Sequence, residues 1–151
     1  DADYSSEQLS SLVISKNKVY EHKTLHVNYT TYDLRRKQDT INPRSRADIM
    51  VMSQDSPSDA GVHPYWYARV TYIFHLKVRF RQEDPTSLRR INIVLVRWLH
   101  RNSRYQSIFA ARRLPRVSFH PLSSSECWDF IDPSTIVRGI HLIPAFKRGR
   151  S

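Results

Sequence analysis

The sequence predicts a mainly β fold, a small partly open barrel with short helical turns. Over residues 65–81 apolar and polar side chains alternate with a period of two, the mark of a strand with one buried face. The remaining apolar runs are short and separated by polar turns, as in barrels and sandwiches. No internal repeat and no heptad interrupts that pattern.

Taken in order, residues 1–24 read as a polar approach segment with one short helix over 7–14. Residues 25–148 read as a single β-rich domain. A strand is predicted over 25–32 from its β-branched and aromatic content. A turn-rich stretch follows at 38–44, then a short apolar run at 49–52 and an exposed loop at 53–64 rich in Ser, Asp and Pro. In the long alternating segment the even positions Trp66, Ala68, Val70, Tyr72, Phe74, Leu76, Val78 and Phe80 form the expected buried face. The odd positions place Tyr65, Tyr67, Arg69, Lys77, Arg79 and Arg81 outward. This segment is far longer than the usual strand of about 5–6 residues, so a bent strand or two strands of one parity are expected. Further strands are predicted at 91–99, at 114–119 (on an edge, because of Pro115) and at 136–143. Loops are predicted at 102–110 and 121–126, with a turn or helix start at Asp132-Pro133-Ser134.

Composition narrows the function classes. The 151 residues carry a formal net charge of +10, and between Asp84 and Glu126 stand eight arginines and no acid. They are Arg89, Arg90, Arg97, Arg101, Arg104, Arg112, Arg113 and Arg116. Such a block attracts phosphate backbones, anionic lipid or acidic protein surfaces. Arginine outnumbers lysine eighteen to six, which favours bidentate contacts and stacking. The aromatic content argues for a folded chain rather than a basic tail. With three glycines, neither a dinucleotide fingerprint nor a P-loop can be assembled. Cys127 is the sole cysteine, so no internal disulfide forms, which suits an intracellular protein. No apolar run reaches membrane-spanning length and no signal peptide is visible. The chain starts at Asp1 without a methionine, so a fragment of a longer protein is expected.

Two resemblances follow from particular stretches. Val27-Asn28-Tyr29-Thr30-Thr31-Tyr32-Asp33-Leu34-Arg35-Arg36, Gln38-Asp39-Thr40-Ile41-Asn42-Pro43-Arg44 and Asp48-Ile49-Met50-Val51 open a long match. It continues through Tyr67-Ala68-Arg69-Val70, Val96-Arg97-Trp98 and Arg113-Leu114-Pro115-Arg116-Val117, and ends in Arg138-Gly139-Ile140-His141-Leu142-Ile143-Pro144. This pattern resembles a domain family of mushroom-forming fungi (basidiomycetes) associated with transposons of the Kyakuja–Dileera–Zisupton group; it implies no established activity. The order Pro64-Tyr65-Trp66-Tyr67-Ala68-Arg69-Val70, Val96-Arg97-Trp98-Leu99-His100-Arg101, Arg116-Val117-Ser118-Phe119-His120 and Ile136-Val137-Arg138-Gly139 is also similar to bromo-adjacent homology (BAH) domains. Arg116 stands where those domains commonly have an acid. That resemblance implies a barrel that binds nucleosomes, histone tails or silencing partners without catalysis, and with it a nuclear location.

The candidate sites are therefore binding sites. Arg69, Lys77, Arg79, Arg81, Arg89, Arg90, Arg97, Arg101, Arg112 and Arg113 are candidates for contact with DNA, RNA, a nucleosome or an acidic protein. An ammonium ligand needs converging aromatic faces, for which Tyr65, Tyr67, Trp98 and Trp128 are available, with Trp66 assigned to the core. The seven histidines are dispersed, and His22 and His26, four apart, lack an accompanying motif, so no metal and no cofactor is expected. For a nuclease the nearest carboxylates are Asp33, Asp39 and Asp48, which sit where aspartate commonly turns the backbone. Cys127 with His120 or His141 lacks support as a nucleophile pair and is expected to pack. The expected function is a non-catalytic interaction module with no membrane role. An accessory metal-dependent nuclease or other transposition enzyme, and a docking domain for a transposase, are the alternatives.

Overall fold

The computed structural model describes residues 5–6, 10–53, 64–102 and 114–145. Nine strands follow in chain order: β1 Leu12–His22, β2 Leu25–Thr30, β3 Arg36–Ile41, β4 Asp48–Met52, β5 Tyr65–Phe80, β6 Arg89–Arg101, β7 Val117–Phe119, β8 Trp128–Ile131 and β9 Ile136–Gly139. Among the described residues Ser6 and Ser10 are helical, and two single 3-10 turns, Ser125–Cys127 and Pro133–Thr135, lie between strands. Each is capped by the preceding side chain: Ser124 accepts from the Glu126 amide and Asp132 from that of Ser134.

The two long strands organise everything else. β5 and β6 form an antiparallel hairpin from Tyr67↔Leu99 to Val78↔Arg89. On the free edge of β5, β4 pairs with its first half and β1 with its second. On the free edge of β6, β7 and β8 pair in the same manner, and β9 adds to β4. All strands of this seven-stranded sheet are antiparallel to their neighbours. β2 and β3 make a separate two-stranded sheet. The fold is thus mainly β, but the sheets do not close into a barrel, because β2 and β3 pair with each other and not with an edge of the large sheet.

Face assignment depends on one residue. The ladder between β5 and β6 shifts register between Val70 and Tyr72, leaving Thr71 bulged. A bulge re-aims every side chain beyond it. Ala68 and Val70 are buried as the alternation predicted, and so is Val78 near the strand end, but directly past Thr71 the buried residues are Ile73 and His75. Tyr72, expected in the core, is half exposed. On β6, which has no bulge, Trp98, Val96 and Val94 face Ala68, Val70 and Ile73 in turn. The bulge keeps these six on one side. Each fully buried Val or Ile contributes roughly 1.5–3 kcal/mol, so this register is strongly fixed.

The core lies on this inner face. Ile49 and Val51 of β4, Ile136 of β9, and Val27 and Ile41 of the small sheet close it, with Leu25, Trp66, Trp98 and Ile131 packed at its margin. Gly139 sits under the small sheet. A Cβ there would stand 3.0 Å from Ile41 Cδ1, tighter than ordinary contact, so any larger residue would have to push that side chain aside. Beside it, Asp39 on β3 accepts from Arg138 Nε at 3.0 Å and from the Gly139 amide at 3.1 Å. The Arg138 guanidinium lies 3.7 Å over the Tyr29 ring. These contacts tie the two sheets.

Three further departures from the sequence reading have local causes. Residues 12–22, read as part of a polar segment whose short helix ran to residue 14, form β1. Its pattern is concealed by an irregularity between Ile14 and Val19, where Lys16 and Asn17 take positive φ. β3 falls partly on a predicted turn because only Asp39 and Ile41 of its six residues point inward. β8 has three exposed residues out of four and carries no alternation to read. The loops predicted at 53–64 and 102–110 fall mostly outside the described residues, as does the start of the N-terminal helix.

Candidate nucleic-acid interface

The far end of the β5–β6 hairpin concentrates charge. Lys77 and Arg90 are directly opposed across the two strands, both exposed, and neither is in an ion pair among the described residues. Their local partners are neutral: the Lys77 ammonium lies 5.7 Å from the Tyr20 ring centre, and Arg90 Nε donates to Asn92 at 2.9 Å. Like charges directly opposed in a sheet are destabilising. Arg81, exposed, extends the basic surface into the turn.

The adjacent arginines serve the turn itself. Arg79 aims its guanidinium at the carbonyls of Phe80, Arg81 and Glu83, at 3.3–3.5 Å. Arg89 pairs with Glu83 and lies 5.2 Å over the Phe80 ring. The amide and hydroxyl of Thr86 hold the Asp84 carboxyl below the usual carboxylate range. Both acids near the hairpin end are therefore engaged in shaping it.

Arg69, expected on one face with Lys77, Arg79 and Arg81, is separated from them by the Thr71 bulge. It lies on the outer face, where Asp48 accepts from it twice, at 2.7 and 3.1 Å. Arg97 is its cross-strand neighbour, and both guanidiniums stack on Phe119, at 4.9 and 4.4 Å. Arg97 also donates to the His120 carbonyl, while its Nε is buried without an acceptor among the described residues. The continuous basic face predicted from alternation is thus two separate clusters. Arg104, Arg112 and Arg113 lie outside the described residues.

At the other end of the hairpin, Tyr65, Tyr67, Trp98 and Trp128 line a cavity of about 710 Å³. Trp66 lines it too, meeting Trp98 edge-on at 5.8 Å, and both pack against the core. Arg101, Glu126 and Asp129 bring charge of both signs to the wall. Burial pushes the Tyr67 hydroxyl above its ordinary pKa, against the pull of Arg101. His100 and His120 stand edge to face, and His100 Nε2 is 2.9 Å from Ser118 Oγ.

The three carboxylates considered for metal chemistry are each held by an arginine: Asp33 by Arg35, Asp39 by Arg138 and Asp48 by Arg69. Among the described residues no group of three His, Cys, Asp or Glu could hold a metal ion. Cys127 is fully buried, its thiol 3.6 Å from the His120 carbonyl. His26 contacts Thr40, whereas His22 pairs with His75, Nε2 to Nδ1 at 2.7 Å, with Tyr20 stacked on His75. Those two histidines are 53 positions apart and meet only through the register of β1 on β5. No protein-family model, no curated protein and no solved structure matches this chain.

Proposed function

We propose that this chain is a non-catalytic interaction module that binds nucleic acid through the basic end of the β5–β6 hairpin. The observation that carries the reading is the opposition of Lys77 and Arg90 without an acid between them. Two phosphate groups would relieve that repulsion and release counterions. Arg81 extends the contact, while Arg79 and Arg89 shape the turn that presents it.

The setting we infer is chromatin in the nucleus, in a transposon-associated protein of BAH-like build. Supporting the BAH relation, the segments that carry it fall on or beside β5, β6, β7 and β9 of one sheet. A nucleosome would offer phosphates together with acidic protein surface.

The test is fluorescence anisotropy with duplex DNA at about 50 and about 200 mM salt. Binding at low salt that weakens steeply with salt, and that the Lys77→Ala/Arg81→Ala/Arg90→Ala variant loses, supports the reading. Absence of binding at low salt overturns it and leaves an acidic protein as the partner to seek.

A further inference from the structure

Resting on that reading, we propose that the outer face of the large sheet is a platform for single-stranded nucleic acid, with Trp128, Phe130 and Tyr72 stacking unpaired bases. These three side chains are 42%, 63% and 50% exposed. Their positions follow from register: Leu95 is opposite both Tyr72 and Phe130, and Arg97 is opposite both Arg69 and Trp128. Two rows therefore run across β5, β6 and β8 on one face, one apolar and aromatic and the next carrying two guanidiniums. Phe74, two positions from Tyr72 on the same face, meets Phe130 edge-on at 6.1 Å.

The spacing suits an extended strand. Trp128 and Phe130 are two positions apart on β8, so about 6.6 Å separates them. That exceeds the ~3.4 Å rise of bases stacked in a duplex. Base–aromatic stacking tolerates any sequence, because every base has a π-face, and arginine adds cation–π and phosphate contacts. A duplex hides its base faces and would meet only the charged groups.

Charge selects the occupant. Asp48 on this face is already held by Arg69, Glu21 lies opposite Phe74 on β1, and Glu126 and Asp129 stand with Trp128 at the cavity wall, so it is the chain's overall excess of +10 that draws a polyanion here. A second copy of this chain, itself at +10, would set guanidinium against guanidinium. A nucleic-acid strand brings flat apolar faces and negative charge together.

The experiment is anisotropy with fluorescent oligothymidylate of about 12 nucleotides and with a duplex of similar length, alongside light scattering for mass. Tyr72→Ala and Phe130→Ala should each weaken single-strand binding about five-fold or more, with duplex binding changed less than about two-fold. Phe130→Tyr should retain binding. Both residues are half exposed or more, so circular dichroism should show the variants folded. Duplex binding that depends on Lys77 and Arg90, with single-strand binding indifferent to Tyr72 and Phe130, overturns the platform and leaves the hairpin reading standing. Binding of neither probe overturns both. A dimer that Phe130→Ala dissociates assigns the face to a second copy and overturns the platform.

Discussion

Val70 and Ile73 are three positions apart on β5 yet face the same side of the sheet, because Thr71 is bulged from the ladder between them. Their partners on β6, Val96 and Val94, are only two apart. Bulging the extra residue out of the ladder is what lets both pairs enter one core.

Deleting Thr71 should accordingly be tolerated, because Val70, Tyr72 and Ile73 would then follow Val96, Leu95 and Val94 one for one, with Ile73 still facing inward. Deleting Leu95 from the unbulged strand should not be, because Val94 and Val96 would then point to opposite faces. The expected outcome is a change under about 1 kcal/mol in urea titration for the first variant and a fall of more than about 3 kcal/mol for the second. A Thr71 deletion as damaging as the Leu95 deletion contradicts the assignment of the bulge.

Gly139 makes a second, sharper demand. Its position opposite Ile49 and beneath Ile41 leaves no room for a branched side chain. Gly139→Val should destabilise by about 1–3 kcal/mol through overpacking, and Ile41→Val should recover part of that in the double variant. Simple additivity of the two changes would argue that the small sheet does not rest here.

The fold should also be sensitive to acid through His75. Burial disfavours its charged form most, and Arg90, His22 and Lys77 add like charge, so its pKa lies below the ordinary histidine value. Tyr20 stacks on the ring and Asn92 is opposite it on β6. The folded state then binds fewer protons than the unfolded one at mildly acidic pH. Its stabilising effect is complete above the unfolded value of about 6.5 and is lost as pH falls through the lower folded value. Urea midpoints should decline from about pH 7.5 to about pH 5, and His75→Leu should flatten that decline. Parallel profiles for the two proteins would remove His75 from the account.

Much of this architecture was readable in the sequence, for reasons that also explain the failures. The strands of β2, β4, β5 and β6 carry branched and aromatic residues whose burial dominates their energetics, so their composition reveals them. β3 and β8 are stabilised mainly by pairing, and Arg36, Lys37 and Gln38 say nothing of that. Thr71 is an ordinary strand residue, and nothing in it announces a bulge. The grouping of Tyr65, Tyr67 and Trp98 at one cavity follows from pairing β5 with β6, whereas Trp128 joins them only through the pairing of β8 with β6. The division of the arginines into two clusters and the His22–His75 pair depend on register, which alternation alone does not specify.

The most direct test of the central claim is the salt dependence of duplex DNA binding, measured for the native chain and for Lys77→Ala/Arg90→Ala. If these two side chains contact phosphates, the slope of log affinity against log salt should become shallower by about 2 in the variant. An unchanged slope, or an affinity that salt does not alter, would contradict binding through the opposed cations of the hairpin.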